Sequence, residues 1–429
     1  MQIFIIYLTF LWAVFSGIFT LRGVQYQNPN IFIGSIHYIL GVLIILYFID
    51  CLSNKKIDLT EVNEKKYLFT FIIISVLSTI LNISSILDSI KFLLTLVPPI
   101  LIFIILVYDK SIHKKQVKNA FNLFIIICII QFMIALFNNF NKIMDGVIII
   151  DDYFRGTMGA YQFVFLINLY TIYLVNKYII TKKLNFFEVV IIIVFPISFI
   201  ISGAGGYLFV FVLSLVLNVF FLSFKYNIIH KTKVLIPILV LIPFFYFLIN
   251  YLILNYTLTE FIISQFIIND NTFVVLNNPK VAITLSALKP FVDFKSIMFG
   301  LGPGQYLSGI GGNPEAAFYG GILLDKMGSS AYAVNSDLFS IFSEVGLIGS
   351  LVFYLIIIST LSVKKRTNYI SVKALLMQGT LSGTLIYALV LSIQYRSFMF
   401  FVPSYILWFF AGIIKRRFMT EYLIPIQNN

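Results

Sequence analysis

Long apolar runs that recur along the whole chain are the feature that most constrains its fold. Twelve segments are predominantly apolar over about 20 residues, the length that an α-helix needs to cross the ~30 Å hydrocarbon core of a bilayer. Only 11% of the 429 residues are charged, too few to cover the surface of a water-soluble protein of this size. The sequence therefore predicts an all-α polytopic membrane protein with about 12 transmembrane helices. The predicted spans are 2–20, 31–50, 67–86, 90–108, 119–138, 159–178, 186–203, 206–223, 234–254, 338–361, 374–393 and 398–414.

The lysines and arginines are divided unevenly between the two sides of this arrangement. Of the 30 cations, 21 fall in alternate loops and the C-terminal tail, all on one side, and nine fall on the other. Because cytoplasmic loops are enriched in Lys and Arg, we expect the basic side and both termini to be cytoplasmic. The net charge of +12 then reflects topology and contacts with membrane lipids, and nucleic acid is not an expected partner.

One long connection on the outer side divides the chain into three parts. Residues 1–254 hold nine predicted helices, residues 255–337 form the connection, and residues 338–429 hold the last three helices and a short tail. A connection of this length is usually functional or disordered. Its apolar stretches, such as 261–268, favour short amphipathic helices that lie along the membrane surface.

The positions of histidine and cysteine exclude several kinds of outer catalytic site. His113 and His230 fall in basic loops, and His37, Cys51 and Cys128 fall in or at the ends of predicted helices. No outer loop therefore carries a zinc site, a Cys/His pair or a Ser-His-Asp triad. Outer-side chemistry must use Arg, Lys, Asp, Glu and Tyr, and we expect neither a metal nor a cofactor.

Two outer arginines are candidates for binding an anion. Arg155 stands where an outer loop enters the sixth predicted helix, so its guanidinium and the helix N-terminus can hold a phosphate together. The alternative is an ion pair with Asp151 or Asp152, or anchoring at the interface. Arg396 lies in a four-residue outer turn, where snorkelling to lipid headgroups is the alternative reading.

A glycine-rich stretch in the long connection is a second candidate for anion binding. Gly300, Gly302 and Gly304 precede Tyr306, and glycines let backbone amides approach an anion closely. An ordinary turn explains the same pattern. No strand and helix frame the stretch, so it is not a nucleotide-binding fingerprint.

The tenth predicted helix begins with two acidic residues. Asp337 lies at its mouth, where it can cap the helix or act as a catalytic base, and spacing alone does not separate the two roles. Glu344 lies about two turns further in, where a carboxylate is costly unless it has a partner or a function.

The order of these pieces resembles the O-antigen polymerase/ligase superfamily. The resemblance covers nearly the whole chain: Arg155 to Gly159 opens a mid-chain helix, a large outer loop follows the ninth helix, Phe299 to Tyr306 lies late in that loop, and Glu344 to Gly349 begins the next helix. Each motif alone has low specificity, and the resemblance depends on the order of the motifs and on the predicted topology.

The resemblance implies a GT-C-like glycosyltransferase of a bacterial inner membrane. Such proteins take undecaprenyl-pyrophosphate-linked oligosaccharides at the periplasmic face and need neither metal nor nucleotide. It further implies that Arg155, Lys280 and Arg396 hold the pyrophosphate with the glycine stretch. Asp337, as a general base, and Arg155 are the expected catalytic residues, and Glu344 and Tyr306 are expected to support the site. A chain-length regulator is a further candidate partner.

Three functions are left open by the sequence. A polymerase of O-antigen or capsular repeat units is favoured over a ligase, because Asn335 stands where ligases carry a histidine. A non-enzymatic flippase or transporter is the third possibility, since twelve helices suit it as well. Transporters commonly show paired repeats, and the single long connection after nine helices breaks such symmetry.

Overall fold

The structure is a computed structural model that describes most of the predicted helices and part of the long connection. The described residues are 4–15, 31–140, 144, 157–158, 160–201, 205–226, 266–269, 272–276, 293–304, 336–361, 371–394, 398 and 401–422.

The described part of the chain is built almost entirely from α-helices. Every predicted span except 234–254, which lies outside the described residues, coincides with a helix. Six of the described helices are long and apolar enough to cross a membrane. The protein is therefore an α-helical membrane protein. The helices are α1 (Phe4–Phe15), α2 (Ile31–Ser53), α3 (Lys65–Leu81), α4 (Ile86–Tyr108), α5 (Lys114–Asn138), α6 (Ala160–Thr181), α7 (Phe186–Ile201), α8 (Gly205–Tyr226), α9 (Phe294–Phe299), α10 (Asp337–Thr360), α11 (Val372–Gln394) and α12 (Phe401–Tyr422).

The described pieces of the long connection include two short strands. The strands β1 (Phe266–Asn269) and β2 (Thr272–Leu276) pair antiparallel, and the six-residue helix α9 follows them. The sequence predicts amphipathic helices in this connection, whereas the described stretches 266–269 and 272–276 are paired strands. The residues of these two strands are rich in Phe, Ile and Val, which favour extended backbone.

The last helix, α12, occupies the centre of the bundle. Its side chains from Tyr405 to Ile414 are at most 1% exposed, apart from the glycine in that stretch. The Phe409 ring stacks on Phe10 of α1 at 4.1 Å between centroids, and Trp408 meets Phe103 of α4 edge-on at 5.5 Å. The apolar core is therefore arranged around the last of the described helices.

Several of the predicted basic loops lie at one end of the bundle, which we call the basic end. The Lys110 amide donates to the Lys56 carbonyl at 3.0 Å, which joins the α2–α3 loop to the α4–α5 loop. Lys114 pairs with Glu421 of α12 at 3.2 Å, which brings the C-terminal region to the same end. The opposite end, which holds residues 300–304, is called the glycine end.

Two adjacent cations of α12 bind the C-terminal carbonyls of neighbouring helices at the basic end. Lys415 is 1% exposed and donates to the carbonyl of Thr360, the last residue of α10. Arg416 donates to the carbonyls of Val107, Asp109 and Ile112 at the end of α4. Helix C-termini carry unsatisfied carbonyls and partial negative charge, so both contacts stabilise the bundle.

Candidate functional site

A break within α10 is the centre of the candidate site. Gly346 has φ 70° and ψ −171° inside this otherwise continuous helix, a conformation that is essentially confined to glycine. The break removes the regular helical partners of the carbonyls just before it. The Leu301 amide donates to the Ser343 carbonyl at 2.8 Å, and the Gly302 amide donates to the Glu344 carbonyl at 3.1 Å. The glycine segment, residues 300–304, therefore docks at the break in α10 and supplies hydrogen-bond donors to the carbonyls of Ser343 and Glu344.

Close approach of two backbones explains the glycines on both sides of this contact. Gly300, Gly302 and Gly304 have φ values of 75°, 108° and 79°. A Cβ atom on Gly300 would lie 2.5 Å from the Glu344 carbonyl, and one on Gly346 would overlap the Met298 carbonyl. No side chain fits there, so the glycines that the sequence singled out have a structural task.

The C-terminal end of α3 and the N-terminal end of α4 contact the glycine segment through side-chain hydrogen bonds. Ser78 donates to the carbonyls of Phe299 and Glu344, and Asn82 donates to the Gly300 carbonyl at 3.1 Å. Ser89 donates to the Pro303 carbonyl at 3.2 Å. Sequence reasoning missed these three residues. The available signal was small polar side chains at the facing ends of two apolar helices joined by a tight turn.

Three amides of the glycine segment, those of Gly300, Leu301 and Gly302, are already hydrogen-bonded within the protein. The Gly300 amide donates to the Ser296 carbonyl at 2.9 Å, in addition to the contacts of Leu301 and Gly302 with α10. An anion that approached this segment would compete with these hydrogen bonds. Pyrophosphate binding by the glycine segment stays a prediction.

Asp337 joins the start of α10 to the segment that leads into α12. Its Oδ2 atom accepts a hydrogen bond from the Phe398 amide at 2.7 Å, and its side chain is fully buried. Ser336, and not Asp337, caps the helix: its hydroxyl accepts from the Phe339 amide at 3.4 Å and donates to the Ser392 carbonyl. The general-base role of Asp337 stays a prediction.

Glu344 lies beside the break with its side chain buried and its carbonyl hydrogen-bonded to Ser78 and Gly302. Buried ionisable side chains in membrane proteins are costly and are commonly functional. The structure thus brings Glu344, Gly300 and Gly302 together at the glycine end, in one contact between two segments that are about forty residues apart in the chain, while Gly304 packs against Asp88 of α4.

Two cations that the sequence did not assign to a site lie beside the glycine segment. Lys91 pairs with Asp88 at 3.1 Å, and the Asp88 carbonyl is the group against which Gly304 packs. Lys295 of α9 reaches the Leu81 carbonyl at 3.5 Å. Arg155, Lys280, Arg396 and Tyr306 lie outside the described residues. Within the described residues, no group of three or more His, Cys, Asp or Glu side chains could hold a metal ion.

At the same end, Asp293 is held in place at the start of α9. Its carboxylate accepts a hydrogen bond from the Ser296 amide at 2.6 Å. Hydrogen bonds from Ser296 hold the pKa of Asp293 below its usual value, so this acid is ionised at neutral pH. Asp293 caps the N-terminus of the short helix α9, and the carbonyl of Phe299 at the other end of α9 accepts a hydrogen bond from Ser78.

A comparison of the chain with models of known protein families finds no match, and a comparison with curated protein sequences finds none either. The functional assignment therefore depends on the residues and on the resemblance in motif order.

Proposed function

We propose that the protein polymerises undecaprenyl-pyrophosphate-linked oligosaccharide repeat units into O-antigen or capsular polysaccharide at the periplasmic face of a bacterial inner membrane. In this proposal the chain crosses the membrane about twelve times, both termini are cytoplasmic, and the glycine end faces the periplasm. The nine helices before the long connection and the three after it then form one glycosyltransferase.

The observation that most favours this proposal is the docking of the glycine segment into the break of α10. Two of the three motifs that carry the resemblance, Gly300–Gly304 and Glu344–Gly349, meet through the Leu301 and Gly302 amides. Asp337 begins the same helix. Motifs that are distant in sequence but packed together at one end of a membrane bundle are typical of a shared site.

The proposed reaction needs only side chains and lipid-linked substrates. A sugar hydroxyl of the incoming unit attacks the anomeric carbon of the growing chain, and the bond between that carbon and the pyrophosphate oxygen breaks. Asp337 takes the hydroxyl proton, and undecaprenyl pyrophosphate leaves. Arg155, Lys280 and Arg396 neutralise the leaving group, and charge stabilisation of that kind is often the largest catalytic contribution.

Substitution of Arg155 tests the proposal. Arg155→Ala should abolish surface polymer and leave single repeat units on the cell surface, because the pyrophosphate loses its bidentate partner. Arg155→Lys should restore only part of the polymer, since an ammonium cannot make the planar two-point contact. The measurement is gel analysis of surface glycan from a knockout strain that expresses each variant at matched level.

A double substitution of the neighbouring acids is the control. If Arg155 serves only as the ion-pair partner of Asp151 or Asp152, then Asp151→Ala with Asp152→Ala should be as damaging as Arg155→Ala. Normal polymer in the Arg155→Ala strain would remove this residue from the site.

A second candidate function, transport of a lipid-linked glycan without chemistry, is favoured by buried polar groups between α6, α8 and α11. Asn218 donates to Asn176 at 3.0 Å, and Ser382 donates to Asn218 at 2.6 Å. In the part of the chain described, the side-chain Nε2 and Oε1 atoms of Gln378 and the Oδ1 atom of Asn168 are buried without a hydrogen-bond partner. Polar groups at membrane depth often line substrate paths.

The knockout phenotype separates the two candidates. Loss of a polymerase leaves single-unit glycans on the cell surface, whereas loss of a transporter leaves neither single units nor polymer outside. Single units on the surface of the knockout strain would exclude transport.

A further inference from the structure

A groove with apolar walls opens between α2, α3 and α4. It encloses about 340 Å³. Its lining residues are Ile, Leu, Val and Phe, with Lys65 as the only charged residue among them. On α3 the lining runs from Lys65 to Ile72, and on α4 it runs from Ile90 to Ile104. Both sets recur at spacings of three and four residues, so each helix turns one face to the groove.

The groove lies at the depth of the hydrocarbon core. α4 is one of the helices that are apolar enough to cross a membrane. The stretch from Ile90 to Ile104 rises by about 21 Å along this helix, a large part of the ~30 Å thickness of the core. Phe69 and Ile90 are 53% and 48% exposed, and they mark the open side of the groove. Hydrocarbon is the medium that meets such an opening in a bilayer.

Charge at one end of the groove selects the kind of lipid. Lys65 is the first residue of α3 and lies at the basic end, where the partial positive charge of the helix N-terminus adds to its own. Among the described residues its ammonium forms no ion pair within 4.0 Å. Asp58 is an acid near enough for its charge to interact with that of Lys65, and hydrogen bonds from Thr60 hold its carboxylate. A lysine at the edge of an apolar groove suits the phosphate of a lipid headgroup.

We propose that this groove binds one acyl chain of an anionic phospholipid from the leaflet at the basic end, with the headgroup phosphate on Lys65. The proposal does not rest on the glycosyltransferase function: Lys65 lies at the basic end and residues 300–304 do not line the groove, although Ile90 at the other end of the groove is next to Ser89 of the candidate site. The bound lipid fills the space between α2 and α3 and becomes part of the bundle surface.

A pair of neighbouring tryptophan substitutions tests whether the groove is the binding site. Ile72 lines the groove, whereas Ile73 on the same turn of α3 is 65% exposed and does not line it. Native mass spectrometry of the full chain in mild detergent, with added phosphatidylglycerol, should show one tightly bound lipid on the wild type. Ile72→Trp fills the groove and should lose that lipid, and Ile73→Trp should keep it.

A pair of neighbouring lysine substitutions tests the headgroup contact. Lys65→Gln should weaken phosphatidylglycerol binding about five-fold, the ratio expected for one lysine near an anionic membrane surface, and should leave phosphatidylcholine binding unchanged. Lys66, which is exposed with its ammonium 4.5 Å from the Tyr67 ring centroid, does not line the groove. Lys66→Gln should therefore bind phosphatidylglycerol as the wild type does.

Three results would overturn the proposal. They are equal lipid binding by the two tryptophan variants, equal effects of the two lysine substitutions, and equal affinity of the wild type for phosphatidylglycerol and phosphatidylcholine. Retained lipid in Ile72→Trp is also the result expected if another segment of the chain fills the groove. If Ile72→Trp fails to fold, the lysine pair decides alone, since both lysines lie at the surface end of α3.

Discussion

Replacing Gly346 by alanine should destabilise the protein far more than an ordinary glycine substitution in a helix. An alanine at φ 70° and ψ −171° costs about 1–3 kcal/mol in backbone strain. Its Cβ atom would also overlap the Met298 carbonyl and push the glycine segment away from α10. The hydrogen bonds from Leu301 and Gly302 to α10 would then be lost, at about 0.5–1.5 kcal/mol each. The expected loss of unfolding free energy is about 2–6 kcal/mol.

The unfolding free energy can be measured by titration with sodium dodecyl sulfate from dodecyl maltoside micelles. The fluorescence of Trp12 and of the fully buried Trp408 reports the transition. Gly41→Ala is the matched control, because Gly41 lies in α2 with an ordinary φ, and a Cβ there would need the Pro98 ring, 3.2 Å away, to move by only a few tenths of an ångström. We expect that control to stay within about 1 kcal/mol of the wild type. Equal stabilities of the two variants would refute the reasoning that the break requires glycine.

Three further predictions concern Asp337, Arg416 and Glu64. Asp337→Asn keeps an acceptor for the Phe398 amide and should preserve stability, whereas Asp337→Ala should lose about 1–3 kcal/mol of unfolding free energy. If Asp337 is the general base, both variants should lose surface polymer. Arg416→Gln removes the caps at the end of α4 and should lose about 2–3 kcal/mol, whereas Lys114→Gln breaks a surface pair and should change the stability by less than about 1 kcal/mol. Burial raises the pKa of the Glu64 carboxyl above its usual 4.5. The folded state then holds this proton more tightly, so wild-type unfolding free energy should rise as pH falls through the folded pKa, and Glu64→Gln should lack that rise.

The helices could be predicted from the sequence because the signal for them is local. An apolar run of about 20 residues is long enough to span the bilayer as a helix, whatever the rest of the chain does. The same reasoning predicts amphipathic helices in the long connection, where the described residues 266–269 and 272–276 form paired strands. Apolar character is shared by both structures, and the choice between them depends on pairing that the sequence pattern does not state.

The candidate site could be predicted only in part, because it depends on contacts between distant segments. Gly300 and Gly346 were noticed as glycines in motifs, but the sequence does not show that each makes room for the other segment's backbone. In the sequence Lys415 and Arg416 are topology signals, yet Lys415 is buried against the end of α10 and the half-buried Arg416 binds the end of α4. Their charge was visible in the sequence, whereas the carbonyls that they bind are set by helix packing.

The central position of α12 has a consequence for biosynthesis. In the order of synthesis α12 follows α1, α4 and α5, whose phenylalanines pack against it, so these helices are made before their common partner. Until residues 401–422 are inserted, those helices lack the partner that fills the space between them, and the carbonyl ends of α4 and α10 lack their cations. Packing of the core is thus delayed until α12 has entered the membrane, and a chain cut short before Lys415 would keep both carbonyl ends without these cations.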